Sequence, residues 1–404
     1  MRRGRPEESG MGIGWLRYGP TTAVLFGLAL LSASAKPAPA ADFYQTTAAD
    51  LNGPAGSLIR VEGMDIQLTD AHVYRIVYRS TGLDGKIIPV SGLVIVPFAK
   101  PPQGGWPVIA WAHPTTGFAR KCAPTVLLPD PINVIPGINE MLSRRFVVVA
   151  TDYPGLGTVG PHPYLVGVSE GRAVLDSVRA AREMREANAG GRVVVWGHSQ
   201  GGHAALYAGE LAAKYASDLE LLGVAAAAPA TDLVKLFDDD LGELSGRILG
   251  ALVLDSWSKV FGAPVAPYIV PAEKPYIAEI GGECIDLPNG IVRDLLADKA
   301  LPKKFLVKDP TGFDPWKSLA ANNSPGKAAP GAPLFIAQGT GDTTVDPSVT
   351  VAFVKAQCAK GATVRFVEYK GVTHVEIAKA SARDTLAWII DRFEGKPAPS
   401  TCGG

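Results

Sequence analysis

Apolar and polar positions first alternate along this chain with a period of two. Val73-Tyr74-Arg75-Ile76-Val77-Tyr78-Arg79 has the rhythm of a half-buried strand, and Gly82 and Gly85 mark a turn after it. Ile87 to Val96 is a second apolar stretch and the expected hairpin partner. The pattern then changes to short, nearly continuous apolar runs. They fall at Pro107 to Ala112, Phe146 to Thr151, Arg192 to Trp196, Leu221 to Ala228, Pro333 to Gln338 and Val364 to Tyr369. Helical patterns lie between them, such as Val168 to Ala187 with Val174, Val178 and Ala181 on one face. Buried strands joined by helices predict an α/β fold, a mostly parallel sheet covered on both faces.

One interval breaks the rhythm. From Asp232 to Pro330 there is no strand–helix alternation over roughly 100 residues, far beyond an ordinary loop. It holds a helix-compatible segment, Leu244 to Phe261, and proline-rich connections around Pro264, Pro267 and Pro271. We read residues 232–330 as an inserted helical cap, between core segments 41–231 and 331–404. Val253, Leu254, Trp257, Val260 and Phe261 either line a lipid-binding cap or pack against the sheet.

The N-terminus reads as an export signal of residues 1–40. Arg17 precedes the apolar stretch Thr21 to Leu31, and Ala33-Ser34-Ala35 and Ala38-Pro39-Ala40 both fit a cleavage site. The apolar run is well short of the ~20 residues a membrane span needs. Glu7 and Glu8 are out of place in a basic leader, and Met11 is an alternative start. A secreted or periplasmic location is therefore expected.

Composition narrows the function. The 404 residues are 47% hydrophobic, ample for a packed core, and 39 basic residues cancel 39 acidic ones. With no single-sign run, nucleic-acid binding has no electrostatic support. Cys122, Cys284, Cys358 and Cys402 form an even set in an exported chain, which favours disulfides over free buried thiols and leaves three pairings open. Their wide spacing is unlike a zinc motif, so neither a metal nor another cofactor is expected.

The candidate chemistry centres on Gly197-His198-Ser199-Gln200-Gly201. With 45 glycines in the chain, a bare G-x-S-x-G is weak evidence. Its setting is stronger: it follows the strand-like Val193 to Trp196 and precedes a helical stretch, Gly202 to Ala212. That is the arrangement of a nucleophile elbow, a serine on a strained strand-to-helix turn.

A serine hydroxyl needs a base, ordinarily a histidine oriented by a carboxylate. His72 and His162 read as surface residues, and His198 is expected to point away from the reaction. His203 should pack under the elbow helix, and His113 belongs to the oxyanion loop. His374 remains, directly after the last strand, where an open α/β sheet presents its chemistry. Asp342 is the expected acid, four residues past a strand; Asp346, before Pro347, suits a helix cap. Asp152 precedes the serine and reads as a structural turn residue. Gln200 N–H should be one oxyanion donor. Pro114 has no N–H, so Thr115 or Thr116 must supply the other.

The elbow, together with Asp152-Tyr153-Pro154-Gly155-Leu156-Gly157-Thr158, Gly160-Pro161-His162-Pro163-Tyr164-Leu165 and Ser169-Glu170-Gly171-Arg172-Ala173-Val174-Leu175-Asp176, resembles the secretory lipase family, in the lipase A–like branch of the α/β-hydrolases. The likeness runs from about Asp65 to Cys402. It implies Ser199 as nucleophile, Asp342 as acid, His374 as base, and a cap over an acyl pocket. It also suggests Cys358 with Cys402, leaving Cys122 for Cys284. Where many esterases of this fold read His-Gly, this chain has His113-Pro114. The substrate implied is an ester or lipid, with transient contact at a lipid interface compatible; acyl length and oligomeric state are not legible here.

Overall fold

The computed structural model describes residues 43–66, 68–240, 244–285 and 305–403. The leader assigned to residues 1–40 and part of the cap segment lie outside the described residues. Nine strands form one sheet: β1 (Leu58–Gly63), β2 (Ala71–Thr81), β3 (Ile87–Pro97), β4 (Trp106–Ala112), β5 (Val147–Thr151), β6 (Ala189–His198), β7 (Glu220–Ala227), β8 (Leu334–Gly339) and β9 (Val364–Tyr369). Their order is β1-β2-β3-β5-β4-β6-β7-β8-β9. The β2–β3 hairpin pairs antiparallel from Ala71↔Pro97 to Thr81↔Ile87, and β3 also pairs antiparallel with β5. From β5 through β9 every neighbour is parallel. β5 lies on one side of β4 and β6 on the other, so the order of connection reverses there and gives the sheet a topological switch point.

The central strands are buried on both faces, and their side chains divide by parity. Val108, Ala110, Val193 and Val195 pack under the helices Gly167–Glu183 and Gln200–Tyr215. Ile109, Trp111, Val194 and Trp196 point the other way, toward the helix Ala382–Phe393. Trp111 and Trp196, side by side on β4 and β6, meet edge to face at 5.2 Å. This two-sided burial is why these strands read as continuous apolar runs.

Two segments differ from the sequence reading. β1 has no counterpart in it, because an edge strand with only partial burial carries little apolar pattern. The helix expected to reach Ala187 stops at Glu183, where Met184 turns extended and the chain bends into β6.

Between β7 and β8 lie the helices Leu233–Asp240, Leu244–Phe261, Lys274–Gly282 and Trp316–Asn323. They share a separate apolar cluster in which Trp257 and Trp316 stack at 5.9 Å. Their indole N–H groups are satisfied by the carbonyls of Tyr164 and Pro264.

Cys122 is bonded to Cys284 and Cys358 to Cys402. The first bridge ties the inserted segment to the loop after β4, where Gly117 pairs with Cys284 and Ile285 N–H donates to Thr116 O at 2.9 Å. The bridge spans 162 positions, so cross-linking removes much freedom from the unfolded chain. The paired substitution Cys122→Ser with Cys284→Ser should cost ~2–5 kcal/mol in denaturant unfolding. A loss within ~0.5 kcal/mol would show that this tie contributes nothing.

Candidate active site

β6 runs straight into the elbow. Ser199 adopts φ 56° and ψ −117°, a region that side chains other than glycine avoid, and the helix Gln200–Tyr215 starts at the next residue. The serine N–H is tied to Ala227 O at 2.9 Å, which pins the turn to β7. The flanking glycines are required by space. A Cβ on Gly197 would lie 2.0 Å from Gly201 O, and one on Gly201 would lie 1.9 Å from Ala112 O. The turn therefore folds against itself and against the end of β4, leaving Ser199 at the carboxyl edge of the sheet.

β8 and β9 bring two further loops to that edge. Gly341 N–H donates to Val372 O at 3.0 Å, and Thr340 N–H donates to Tyr369 O at 3.0 Å, so the two loops are stitched together. They place His374 Nδ1 2.8 Å from Asp342 Oδ2 and His374 Nε2 2.8 Å from Ser199 Oγ. A carboxylate can only accept, so the ring proton sits on Nδ1 and the Nε2 lone pair faces the serine hydroxyl.

Asp342 is buried, yet four N–H groups serve it. Thr344 and Val345 donate backbone N–H to Oδ1 at 2.9 and 2.8 Å, and Gln338 Nε2 and His374 Nδ1 donate to Oδ2. Burial alone would raise its pKa. The hydrogen bond and charge of His374, with the Val345 and Thr344 N–H groups, outweigh it and hold the carboxyl below its ordinary value. Asp346 has the other role: it accepts Ser348 N–H at 2.7 Å and caps the helix Pro347–Ala359.

The remaining histidines separate by their partners. His72 is exposed and packs edge-on against Phe98. His113 is buried, with its ring nitrogens facing the carbonyls of Pro114 and Asp152, and burial pushes its pKa down to about 4. His198 does point away from the serine oxygen, but onto the histidine loop. Its Nε2–H donates to His374 O at 2.9 Å, and burial followed by the neighbouring His374 pushes it down to about 3. It is a neutral tether. His203 packs under the elbow helix, fully buried, against Glu170.

His162 is the correction. The surface position expected for it is wrong: it is 4% exposed, its Nδ1 lies 2.8 Å from Pro154 O, and its Nε2 lies 3.1 Å from Gln200 Nε2. The compact loop around it, with Phe118 and Tyr153 against the ring, buries it. Asp152 is a buried anchor, accepting from the hydroxyls of Ser91 and Thr125 at 2.6 and 2.5 Å.

Thr115 and Thr116, the two candidates for the second oxyanion donor, follow β4 on the same edge. Thr115 Oγ1 is 2.8 Å from Tyr164 OH, while Thr116 O is engaged by Ile285 N–H. From Ser199 and Gln200 an apolar cavity extends into the inserted helices, past Tyr164, Leu233, Phe237, Val253, Trp257 and Trp316. Of the five side chains weighed as its lining, Val253 and Trp257 reach it. Leu254 is fully buried in the insertion's own cluster, and Phe261 is 39% exposed. Helical spacing alone could not divide them. Among the described residues no group of His, Cys, Asp and Glu could hold a metal ion, and no helix is long and apolar enough to cross a membrane.

A sheet of this order, with its polar groups gathered where parallel strands end, is that of an α/β-hydrolase. The model of the secretory lipase family matches residues 135–257 and 314–401, and the chain belongs to that family. It is accordingly a carboxylic-ester hydrolase of the lipase and esterase kind. Candida antarctica lipase A in its closed state superposes with a TM-score of 0.76 at 22% identity, covering 90% of this chain and 89% of that one. The secreted triacylglycerol lipase LIP7 of Malassezia globosa is 26% identical over 82% of this chain and 73% of its own length. A Mycobacterium tuberculosis protein described as the probable inactive lipase MT1628 is 24% identical over 80% of this chain and 74% of its own.

The carboxylate at position 342 orients the ring through its charge, so Asp342→Asn should leave the fold intact and lower kcat by ~10³–10⁴. The same variant should change acid stability. A folded pKa held below the unfolded value contributes stability that is complete above about pH 4 and is lost as pH falls through the depressed value. Asp342→Asn should remove that part of the acid limb in unfolding curves. Unchanged kcat together with an unchanged acid limb would exclude the assignment.

Proposed function

We propose that the chain hydrolyses esters of aliphatic acids through an acyl-enzyme on Ser199. Ser199 Oγ attacks the ester carbonyl carbon as His374 Nε2 takes its proton, and Asp342 stabilises the imidazolium. The oxyanion is met by Gln200 N–H at the start of the elbow helix and by Thr115 N–H. Thr115 is preferred to Thr116 because its hydroxyl partner, Tyr164, lines the same cavity as Ser199, whereas the Thr116 peptide is bound to the inserted segment. The proton on His374 then passes to the alcohol oxygen as the carbon–oxygen ester bond breaks. Water, deprotonated by the same nitrogen, releases the acid and restores the serine.

The observation that carries this reading is the unbroken line from Ser199 Oγ through both nitrogens of His374 to Asp342, with 2.8 Å at each step. It stands against the reading in which the chain, like the M. tuberculosis relative by its description, is inactive. The apolar cavity supports an acyl chain as the group bound, with segment 232–330 as the cap over it. The family and two disulfides suited to an oxidising compartment support export by the leader at residues 1–40.

Ser199→Ala should lower p-nitrophenyl ester turnover by on the order of 10⁴–10⁶ and abolish fluorophosphonate labelling. Wild-type turnover in that variant would sink the assignment. In the intact enzyme, kcat/KM should rise about fourfold for each methylene added to a short acyl group, the equivalent of ~0.8 kcal/mol per buried CH₂. A series flat from acetate to octanoate would exclude the cavity as the acyl site.

A further inference from the structure

Behind the elbow lies a buried polar chain that no catalytic step uses. Glu170, on the first turn of the helix Gly167–Glu183, is fully buried. Its Oε1 accepts Leu165 N–H at 3.0 Å and Gln200 Nε2 at 2.8 Å, and its Oε2 faces His203 Nδ1 at 2.8 Å. The other nitrogen of His203 lies 2.7 Å from Asn323 O, which can only accept. Both ring nitrogens of His203 are thus engaged, one by the carboxyl group and one by a main-chain carbonyl. Glu170 and His203 form a fully buried, hydrogen-bonded pair, one turn from Ser199.

The amide of Gln200 commits both hydrogens to this assembly. One goes to Glu170. The other goes to His162 Nε2, a lone pair because Nδ1–H is held by Pro154 O. The loop that carries His162 reaches the other oxyanion candidate as well, since Tyr164 OH meets Thr115 Oγ1 at 2.8 Å. That loop is fastened at Leu165 by Glu170, and Ser256 bridges Tyr164 N–H and His162 O at 3.0 and 2.7 Å. Both oxyanion candidates thus hang on one carboxyl group, Gln200 directly and Thr115 through the loop.

We propose that Glu170, held by His203, is a positioning residue for the oxyanion hole: it fixes Gln200 through its side chain and Thr115 through the loop 162–165. Complete burial of two such polar side chains is hard to account for by stability, because apolar pairs of similar volume commonly serve as well or better. Geometry is what a buried polar pair with four directed hydrogen bonds supplies and an apolar pair does not. The hole must be set before the substrate arrives, since donors that reorganise during the reaction lose most of their effect.

The inference rests on the reading of Ser199 as nucleophile and Gln200 N–H as oxyanion donor. Glu170→Gln keeps the shape but replaces one accepting oxygen with an NH₂ donor. With sites counted by fluorophosphonate titration, kcat on a short ester should fall about 10- to 100-fold with KM nearly unchanged, against the 10²–10³ for outright loss of a donor. Affinity for a trifluoromethyl ketone, which forms the tetrahedral adduct, should fall by the same factor. Asp176→Asn removes another buried carboxylate of the same helix, bound to Ser80 and Tyr215 away from the elbow. It should lower the unfolding midpoint and leave kcat alone. Should Glu170→Gln not fold, Gln200→Leu keeps the backbone N–H but drops both tethers, and the same split between kcat and KM is expected. Wild-type kcat per titrated site in a folded Glu170→Gln or Gln200→Leu overturns the proposal. Turnover surviving in Ser199→Ala would instead overturn the underlying reading, so the two failures are separable.

Discussion

The approach of Gly201 to the end of β4, where a Cβ would sit 1.9 Å from the Ala112 carbonyl oxygen, is the constraint on which the rest of the site depends. It fixes the elbow helix against β4, and the parallel register of β4 with β6 fixes the height at which the chain turns. Ser199 then has no relaxed conformation available and holds φ 56°, tied to β7 through its N–H. Such strain persists only where the surroundings over-determine it. Here the buried centre of the sheet does so, with the Trp111–Trp196 contact on one face and two long helices on the other.

Around that fixed point the polar groups divide into two supports. In front, His374 is held by Asp342 at one ring nitrogen and by the His198 tether at its carbonyl. Asp342 is itself oriented by Gln338, whose carbonyl oxygen is fixed by the Thr350 hydroxyl at 2.7 Å. Behind, Glu170 and His203 hold Gln200 and the loop 162–165. The supports differ in character. The front one fixes the line from Ser199 through His374 to Asp342; the rear one fixes the start of the elbow helix and the loop beside it. The inserted helices join the rear support through Ser256 and Trp257, so the same helix that lines the apolar cavity also fastens the loop beneath it.

The strands most deeply buried were the most legible. β4, β5, β8 and the later residues of β6 and β7 stand out as apolar runs because neither face meets water, and β9, though partly exposed, runs from Val364 to Tyr369 as its pattern indicates. The helix Leu244–Phe261 is equally plain from its apolar spacing. β1 was illegible because an edge strand alternates weakly. Ser199, Asp342 and His374, which meet at 2.8 Å contacts, could be picked out because each follows a strand in a fixed order along the chain. The supporting residues could not. Glu170 stands in a recognisable motif, but nothing in that motif says which histidine it meets. Gln338 reads as the last residue of a strand, and His162 as a loop histidine.

By itself the sequence determined the α/β architecture, the strained elbow at Ser199, the place of the inserted helices, and a cysteine set suited to disulfides. Those properties are local: they depend on residue type, on spacing along a strand or helix, and on the room glycine leaves. Tertiary structure alone decided that His162 is buried, that His198 tethers His374, that Val253 and Trp257 but not Leu254 face the cavity, and that one carboxyl group, Glu170, accepts from both Gln200 and Leu165. Each of these joins segments far apart in the chain. Which polar groups meet in the interior is set by the packing of loops, where no periodicity records it.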